Sequence, residues 1–591
     1  MIAAQIQTAA LATLMLAFVL VNANQGNEAP SWGKPPRWPP GGPHRKPNII
    51  IFNADDMGWG DFSSYGHPTQ EWGPVDDMAY EGMRFTNFYS ASSLCSPSRA
   101  ALMTGRLPIR IGVWGDGRVF WPNSVEGLPR YEVTIAEALK EVGYVTGLVG
   151  KWHLGVNAYS PSDGEHMPHH HGFDYVGTNL PLSNAWQCDE EHWHMKNGPF
   201  PLFCYLYKNA TILQQPYSHY KMSEAFVNDA TGFMRDAQQQ RKPFFLYYGT
   251  AQTHADMFSS NEGFRGSSKR GRYGDNVREM AWTVGAIMDE VKRMEEDFNT
   301  LAIFTNDNGP LVQICNEGGD AGILKGGKMN YWEGGVRVPG IFRWPGHIKA
   351  GITTDVVASQ MDIFPTLMTI VGGSVPDDRI IDGQDISSTL FKWLPEPQPE
   401  PTSKLLNRNH PGNEPRMLVW YCPDTTDPIT VRYGSHKFHF VTQTVWTKEA
   451  NFNEPGRCGD GGFPLQQNVQ CSWCSLDQPE ECVTQHDPPL MFNLDQDPNE
   501  AYPLDVSLPH HKAVLDEMMP KLQAFQASLI IPPPLMTPRD DAVWPCCDGS
   551  FPDCGCNYQY LGPVPPPGDA SPSSKEFLDM MIDPENDNYI L

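Results

Sequence analysis

The segment Asn48-Ile49-Ile50-Ile51-Phe52-Asn53 is an unbroken apolar run that feeds directly into Ala54-Asp55-Asp56. A run without polar alternation suits a strand buried on both faces, which is the habit of parallel sheets. The pattern recurs: Leu301-Ala302-Ile303-Phe304 ends in Thr305-Asn306-Asp307-Asn308-Gly309. Further strand-like runs at Tyr144 to Val149 and Phe244 to Gly249 alternate with helical patterns at Thr134 to Val142, with Thr134 as N-cap, and at Val277 to Met294. Such alternation predicts an α/β domain, a mostly parallel sheet sandwiched by helices.

The chain has 591 residues. At ~150 residues per domain that suggests about four units, but large α/β enzymes exceed this size, and two domains are expected. Residues 48–395 read as the main domain, and the Pro-, Asn- and Glu-rich stretch Glu396 to Pro415 as a crossing segment. Short strand-like runs at Met417 to Cys422, Thr430 to Tyr433 and Lys437 to Val441, followed by a helical pattern at His511 to Gln526, make 416–545 a small antiparallel-sheet subdomain. A Cys-containing acidic tail, 546–591, follows, and there is no internal repeat. A 40% hydrophobic content excludes global disorder, and a net charge of −26 argues against a nucleic-acid partner.

Residues 9–21 form an apolar run too short to span a bilayer, with small residues after it, so 1–23 reads as a signal peptide. An uncleaved anchor is the alternative, because the run lacks preceding Lys or Arg; no membrane span is expected in the mature chain. Residues 24–47 are a Pro-rich linker. Thirteen cysteines in a secreted chain imply disulfides and leave one sulfur over. The sequon Asn209-Ala210-Thr211 fits the same route.

Ligand sites in open α/β sheets lie at the carboxyl ends of strands. Asp55, Asp56 and Asp307 with the Asn308 carbonyl form a hard, oxygen-only donor set suited to Ca²⁺ or Mg²⁺ rather than zinc, although each cluster taken alone also suits a turn. In Cys95-Ser96-Pro97-Ser98-Arg99, Pro97 can open a helix and Gly105 can end it, placing Cys95 at a helix N-terminus with Arg99 one turn on. That is an anion site; the ordinary alternative is a disulfide half-cystine.

Cys95-Ser96-Pro97-Ser98-Arg99, extended by Ala100-Ala101-Leu102 and Thr104-Gly105-Arg106, resembles the signature of the type I sulfatases, and Gly150-Lys151-Trp152-His153-Leu154-Gly155 their second signature. Asp55 to Asp61, Thr305 to Gly309 and Lys325 to Gly335 fall in family order, so the resemblance spans most of 48–545, nearest the branch of arylsulfatase A and N-acetylgalactosamine-6-sulfatase. It implies an alkaline-phosphatase-like fold and a sulfuric ester hydrolase acting on a sulfated carbohydrate or glycolipid, such as galactose-6-sulfate or N-acetylgalactosamine-6-sulfate groups. It also implies conversion of Cys95 to formylglycine by a formylglycine-generating enzyme, which leaves twelve cysteines. Asp55, Asp56, Asp307 and Asn308, with the Cys95-derived group, match the family's calcium ligands. Arg99, Lys151 and Lys328 match cations that hold the aldehyde hydrate and the sulfate, His153 the residue assisting the hydroxyls, and His254 the one near the leaving oxygen. One hydroxyl of the hydrate would attack sulfur while His254 or Lys328 protonates the departing alcohol, and the second hydroxyl would then expel sulfate. A further sulfate contact is placed at Ser183, in a loop that departs from the family pattern. Lysosomal or extracellular location and a homodimer are expectations of the same kind.

Three features are read structurally. His169-His170-His171 are consecutive and point apart, so a polar loop is expected rather than a metal site. Cys471 and Cys474, and the group Cys546, Cys547, Cys554 and Cys556, are expected in disulfides. The competing functional readings are a phosphomonoesterase or phosphonate hydrolase of the same superfamily, and a secreted matrix or binding protein on a sulfatase scaffold.

Overall fold

The computed structural model describes residues 45–183, 205–214, 217, 219, 221–254, 262–392, 415–443 and 483–545, with the side chains of 313–315 excepted. The expected signal peptide and most of the expected Pro-rich linker, the segment 396–414, the Cys471/Cys474 pair and the tail after 545 lie outside the described residues.

Fifteen strands are described: β1 Asn48–Ala54, β2 Met83–Tyr89, β3 Val145–Lys151, β4 Tyr175–Leu180, β5 Leu206–Lys208, β6 Thr211–Gln214, β7 Phe244–Gly249, β8 Thr300–Asn306, β9 Arg337–Arg343, β10 Ile352–Thr354, β11 Ala358–Ser359, β12 Met417–Tyr421, β13 Pro428–Tyr433, β14 His436–Gln443 and β15 Val483–Asn493. The α-helices are α1 Pro74–Tyr80, α2 Cys95–Thr104, α3 Ile135–Glu141, α4 Met222–Gln239, α5 Arg272–Arg293, α6 Glu333–Val336, α7 Ile363–Val371, α8 Ser387–Phe391 and α9 Pro509–Ala527. The large sheet runs β10-β2-β9-β8-β1-β7-β3-β4-β5-β6, with β11 beside β2, and the small one β12-β13-β14-β15. Its centre is parallel, β8-β1-β7-β3-β4, while β9 and the β5/β6 pair are antiparallel. The expected α/β class with a small antiparallel second sheet is the observed one. The expected strand at Tyr144 begins one residue later, and the helix expected from Val277 starts at Arg272.

All of β1 is buried, and its side chains alternate between two cores. Ile50 and Phe52 pack with Phe226 and Ala230 of α4 and Met280, Val284 and Ile287 of α5. Ile49 and Ile51 face Leu102 of α2, Leu139 of α3 and Leu367 of α7. A strand covered on both faces has no polar side to present, hence the unbroken apolar run. Thr134 caps α3 as expected: its hydroxyl accepts from the Glu137 N–H at 3.2 Å, and Glu137 accepts from the Thr134 N–H at 2.8 Å.

Register sets the site. In β1, Asn53 pairs with Gly249 of β7 and with Thr305 of β8, and Ala54 pairs with Asn306, so Asp55-Asp56 and Asp307-Asn308 emerge side by side at the carboxyl edge. Gly150 of β3 pairs with Gly249, delivering Lys151 to the same edge. At Gly150 φ is +87°, and a β-carbon there would lie 1.7 Å from the Gly249 carbonyl oxygen, so only glycine fits.

In the second sheet, Val419, Val431, Phe438 and Met491 bury against Met518 and Leu522 of α9. After α9 the chain returns to the first layer, where the Leu535 N–H donates to Gly112 O at 2.9 Å and Ser124 bridges to Arg539. No helix among the described residues is long and apolar enough to cross a membrane.

Candidate active site

Cys95 is the first residue of α2, and Gly105, at φ 68°, ends that helix in the left-handed conformation. It carries a free, buried thiol, so the half-cystine alternative does not hold; Cys422, by contrast, is disulfide-bonded. Its Sγ lies 4.0 Å from Asp55 Oδ1 and 3.9 Å from Asp56 Oδ1. Burial pushes the thiol up to about 12, so as a thiol it stays protonated.

Three fully buried cations meet the three carboxylates. Lys151 Nζ donates to both oxygens of Asp55, at 2.8 and 2.7 Å, and also to Ser183 Oγ. Lys328 Nζ donates to Asp56 Oδ2 at 2.7 Å and lies 3.3 Å from His254 Nε2. Arg99 grips Asp307 Oδ2 through Nε at 2.9 Å and a terminal nitrogen at 2.8 Å, and reaches Tyr247 OH at 3.1 Å. Its guanidinium is therefore spent on a carboxylate and on the sheet, a positioning arrangement that its place in the signature does not announce.

Burial raises Asp55 to about 7 even though Lys151 opposes the shift. Burial also acts to raise Asp307, but Arg99, Lys151 and Lys328 outweigh it and hold that carboxyl below its usual range. Asp56 holds Lys328 above the ordinary lysine value against the burial that opposes it. His153, at φ +61°, is buried with Nε2 3.2 Å from Phe120 O and no described partner for Nδ1; burial and the three cations lower it, leaving a neutral ring.

Asn308 Nδ2 donates to Asp56 Oδ1 at 2.8 Å, while its Oδ1 is buried without a described partner. An orphaned carbonyl beside two buried carboxylates is a donor set that a hard cation satisfies. Among the described residues, one group of side chains converges closely enough to hold a metal: ligand atoms of Asp55, Asp56, Cys95 and His254 lie within 4.8 Å of one another. The group contains three of the expected ligands, Asp55, Asp56 and Cys95, and adds His254, which the sequence placed near the leaving oxygen. Contrary to the expectation that the three consecutive histidines point apart, the rings of His169 and His170 lie 4.0 Å from each other, tilted by 44°; His171 turns inward against Trp152, and among the described residues the three form no metal-holding group.

Sequence reasoning missed the supports. The single Ser98 O–H is shared between the Asp307 carbonyl and Gln360 Oε1, the latter at 2.8 Å, and the Gln360 amide donates to Asn306 O. The Thr253 N–H and hydroxyl both donate to Asp55 O, at 2.8 and 3.0 Å. Ser98 stood inside the signature, but nothing local marks Gln360 or Tyr247.

The sulfatase family profile matches residues 47–373, and that of the C-terminal region of aryl-sulfatase matches 413–556. This chain belongs to the sulfatase family. It is 44% identical over 520 residues to an arylsulfatase of Hemicentrotus pulcherrimus, covering 88% of each chain. Against the N-acetylgalactosamine-6-sulfatase of Canis lupus familiaris it is 35% identical over 523 residues, covering 85% of this chain and 90% of that one. The crystal structure of the PsFucS1 sulfatase from Pseudoalteromonas sp. superposes with a TM-score of 0.62 at 25% identity, covering 82% of this chain and 92% of that one. The sulfatase is a sulfuric ester hydrolase of the arylsulfatase type.

Proposed function

We propose that this sulfatase releases inorganic sulfate from a sulfated carbohydrate or glycolipid, with 6-sulfated galactose or N-acetylgalactosamine groups as the first candidates, using a formylglycine made from Cys95 and a bound calcium. The observation that carries the reading is Cys95 at the start of α2, in contact with Asp55 and Asp56 and enclosed by Lys151 and Lys328. Asp55, Asp56 and Asn308 would hold the ion, with Asp307 steadied by Arg99 and His254 within reach; their oxygens are hard donors and Asn308 Oδ1 is the orphan among them. When bound, the calcium adds two charges to an otherwise balanced set of three carboxylates and three cations, favouring a monoanionic sulfate ester, and the hydrated aldehyde supplies a hydroxyl nucleophile.

The chain's own groups do the rest. Lys328 is a fully buried ammonium group with one N–H beyond those facing Asp56 and His254, and Lys151, whose three donors go to the two Asp55 oxygens and Ser183, turns one of them to the substrate; together they bind and orient sulfate oxygens. Neutral His153, whose Nε2–H faces Phe120 O, offers Nδ1 as a proton acceptor for a hydroxyl at position 95. Lys328 and His254 form the side that meets the departing alcohol: the ammonium, held charged by Asp56, stabilises negative charge there, and the contact with His254 provides a route for a proton. Ser183 supports Lys151. The maturing chain is a substrate for a formylglycine-generating enzyme, and the sulfatase works in the lysosome or outside the cell, as a homodimer in the reading the resemblance favours.

The test is peptide mass spectrometry of position 95 in secreted protein, with hydrolysis of 4-nitrophenyl sulfate before and after chelation and calcium return, and desulfation of defined 6-sulfated oligosaccharides. The expected result is an aldehyde at position 95 and activity lost on chelation and restored by calcium. Full activity with an unmodified Cys95, or indifference to chelation, would refute the mechanism; sulfate release from other sulfated classes alone would refute the substrate.

A further inference from the structure

Lys328 sits on the segment 325–333, which leads into α6. From the first sheet's side its backbone is held by the Lys328 N–H donating to Pro310 O at 2.8 Å and the Met329 N–H to Ser93 O at 3.0 Å. Met329 has φ 74°, a left-handed conformation that costs a residue with a β-carbon and persists only where neighbours enforce it.

The other constraint comes from the second sheet. Gln443, the last residue of β14, donates from Nε2 to Met329 O at 2.9 Å, and its own carbonyl accepts from Trp332 Nε1 at 3.3 Å. One buried residue thus grips the chain immediately after Lys328 and again at Trp332. Behind it, Glu500 accepts from the Glu333 N–H at 2.6 Å, and Lys437 bridges Glu333 at 2.9 Å and Glu500 at 3.3 Å. His439 Nε2 meets Glu500 at 2.6 Å, and its ring lies 4.5 Å from that of Trp332. These charges are buried and mutually paired, so the anchor is stiff: moving one member strands another.

We propose that Gln443 is a positioning residue for Lys328, through which the second sheet fixes the backbone from which that ammonium reaches Asp56 and the substrate. A lysine stem has wide rotamer freedom, so its head is preorganised only if its root is. The inference rests on the reading of Lys328 as a cation acting on the leaving side. It gives the small sheet a part in the reaction although none of its residues reaches the carboxylates.

The experiment uses full-length secreted, calcium-loaded protein and a series of aryl sulfates graded in leaving-group acidity. Gln443→Met deletes the amide at nearly constant length and leaves the backbone carbonyl for Trp332; Gln443→Asn, which withdraws the amide from Met329 O, is carried in parallel in case the first is not secreted. Lys328→Ala is expected to lose most turnover on the poorest leaving groups. Gln443→Met is expected to show the same slope with a smaller loss, about tenfold at the poor end, and, because Met329 O loses its buried donor, an unfolding temperature lowered by only a few degrees. A uniform loss across the series, or none, with Lys328→Ala still steep, overturns the positioning role and leaves the reading of Lys328 intact. A Lys328→Ala protein that matches the parent overturns that reading, and the inference with it.

Discussion

His171 lies at 0% exposure, and neither ring nitrogen has a hydrogen-bond partner among the described residues. Burial, with smaller contributions from His166, His170, Arg130 and His169, lowers it from 6.5 to about 3. The unfolded imidazole takes up its proton as the pH falls through the ordinary histidine value, while the folded ring stays neutral until about pH 3. In that window the unfolded chain binds more protons, so stability from this group is complete above the unfolded value and drains away as the pH falls. With those two values the loss between about pH 7.5 and about pH 5 is about 2 kcal/mol. His171→Leu removes the titration at similar volume and, because the ring makes no hydrogen bond, strands no partner. Unfolding in urea at the two pH values, followed by the intrinsic fluorescence of the chain's 17 tryptophans, measures the difference. The parent is expected to lose about 2 kcal/mol more than the variant on acidification, with the two nearly equal at the higher pH. Parallel losses in both proteins would show that His171 is not the group responsible. The matter bears on any acidic compartment in which the sulfatase works.

Asp307→Ala leaves the fully buried Arg99 guanidinium without its carboxylate and is expected to cost about 3–5 kcal/mol, so poor secretion should accompany the loss of activity, whereas Asp307→Asn keeps an acceptor and should yield more folded protein; expression and thermal unfolding separate the two. Gly150→Ala places a methyl group against the Gly249 carbonyl at the carboxyl end of the β3/β7 pair and should abolish secretion of folded chain, as judged by immunoblot of the medium. Ser183→Ala removes one acceptor from Lys151 while leaving both Asp55 bonds, so kcat/KM for an aryl sulfate should fall by about tenfold, with an unfolding temperature lowered by no more than a few degrees.

Much of the framework was legible in the chain because it is written in local periodicity. The uniform apolar run of β1, the Thr134 cap of α3, Pro97 in the first turn of α2 and Gly105 at its end depend on residues within a few positions of one another, and the structure has them where they were expected. That acidic residues follow β1 and β8 was equally plain, and the family signatures named the basic residues. Their convergence was not legible: the adjacency of Ala54 and Asn306 is a matter of strand order and register, decided by how the whole sheet packs its two faces. The same holds for what each group touches. Arg99 stands one helical turn from Cys95 in sequence, yet tertiary packing gives its guanidinium to Asp307 and Tyr247. Gln360 and Gln443 are ordinary polar residues in the chain, and only the approach of distant segments turns their amides onto the site's backbone. Local sequence determined which elements form and which chemistry they carry; long-range packing decided which charges meet, because burial leaves each of them only the partners that the fold brings within reach.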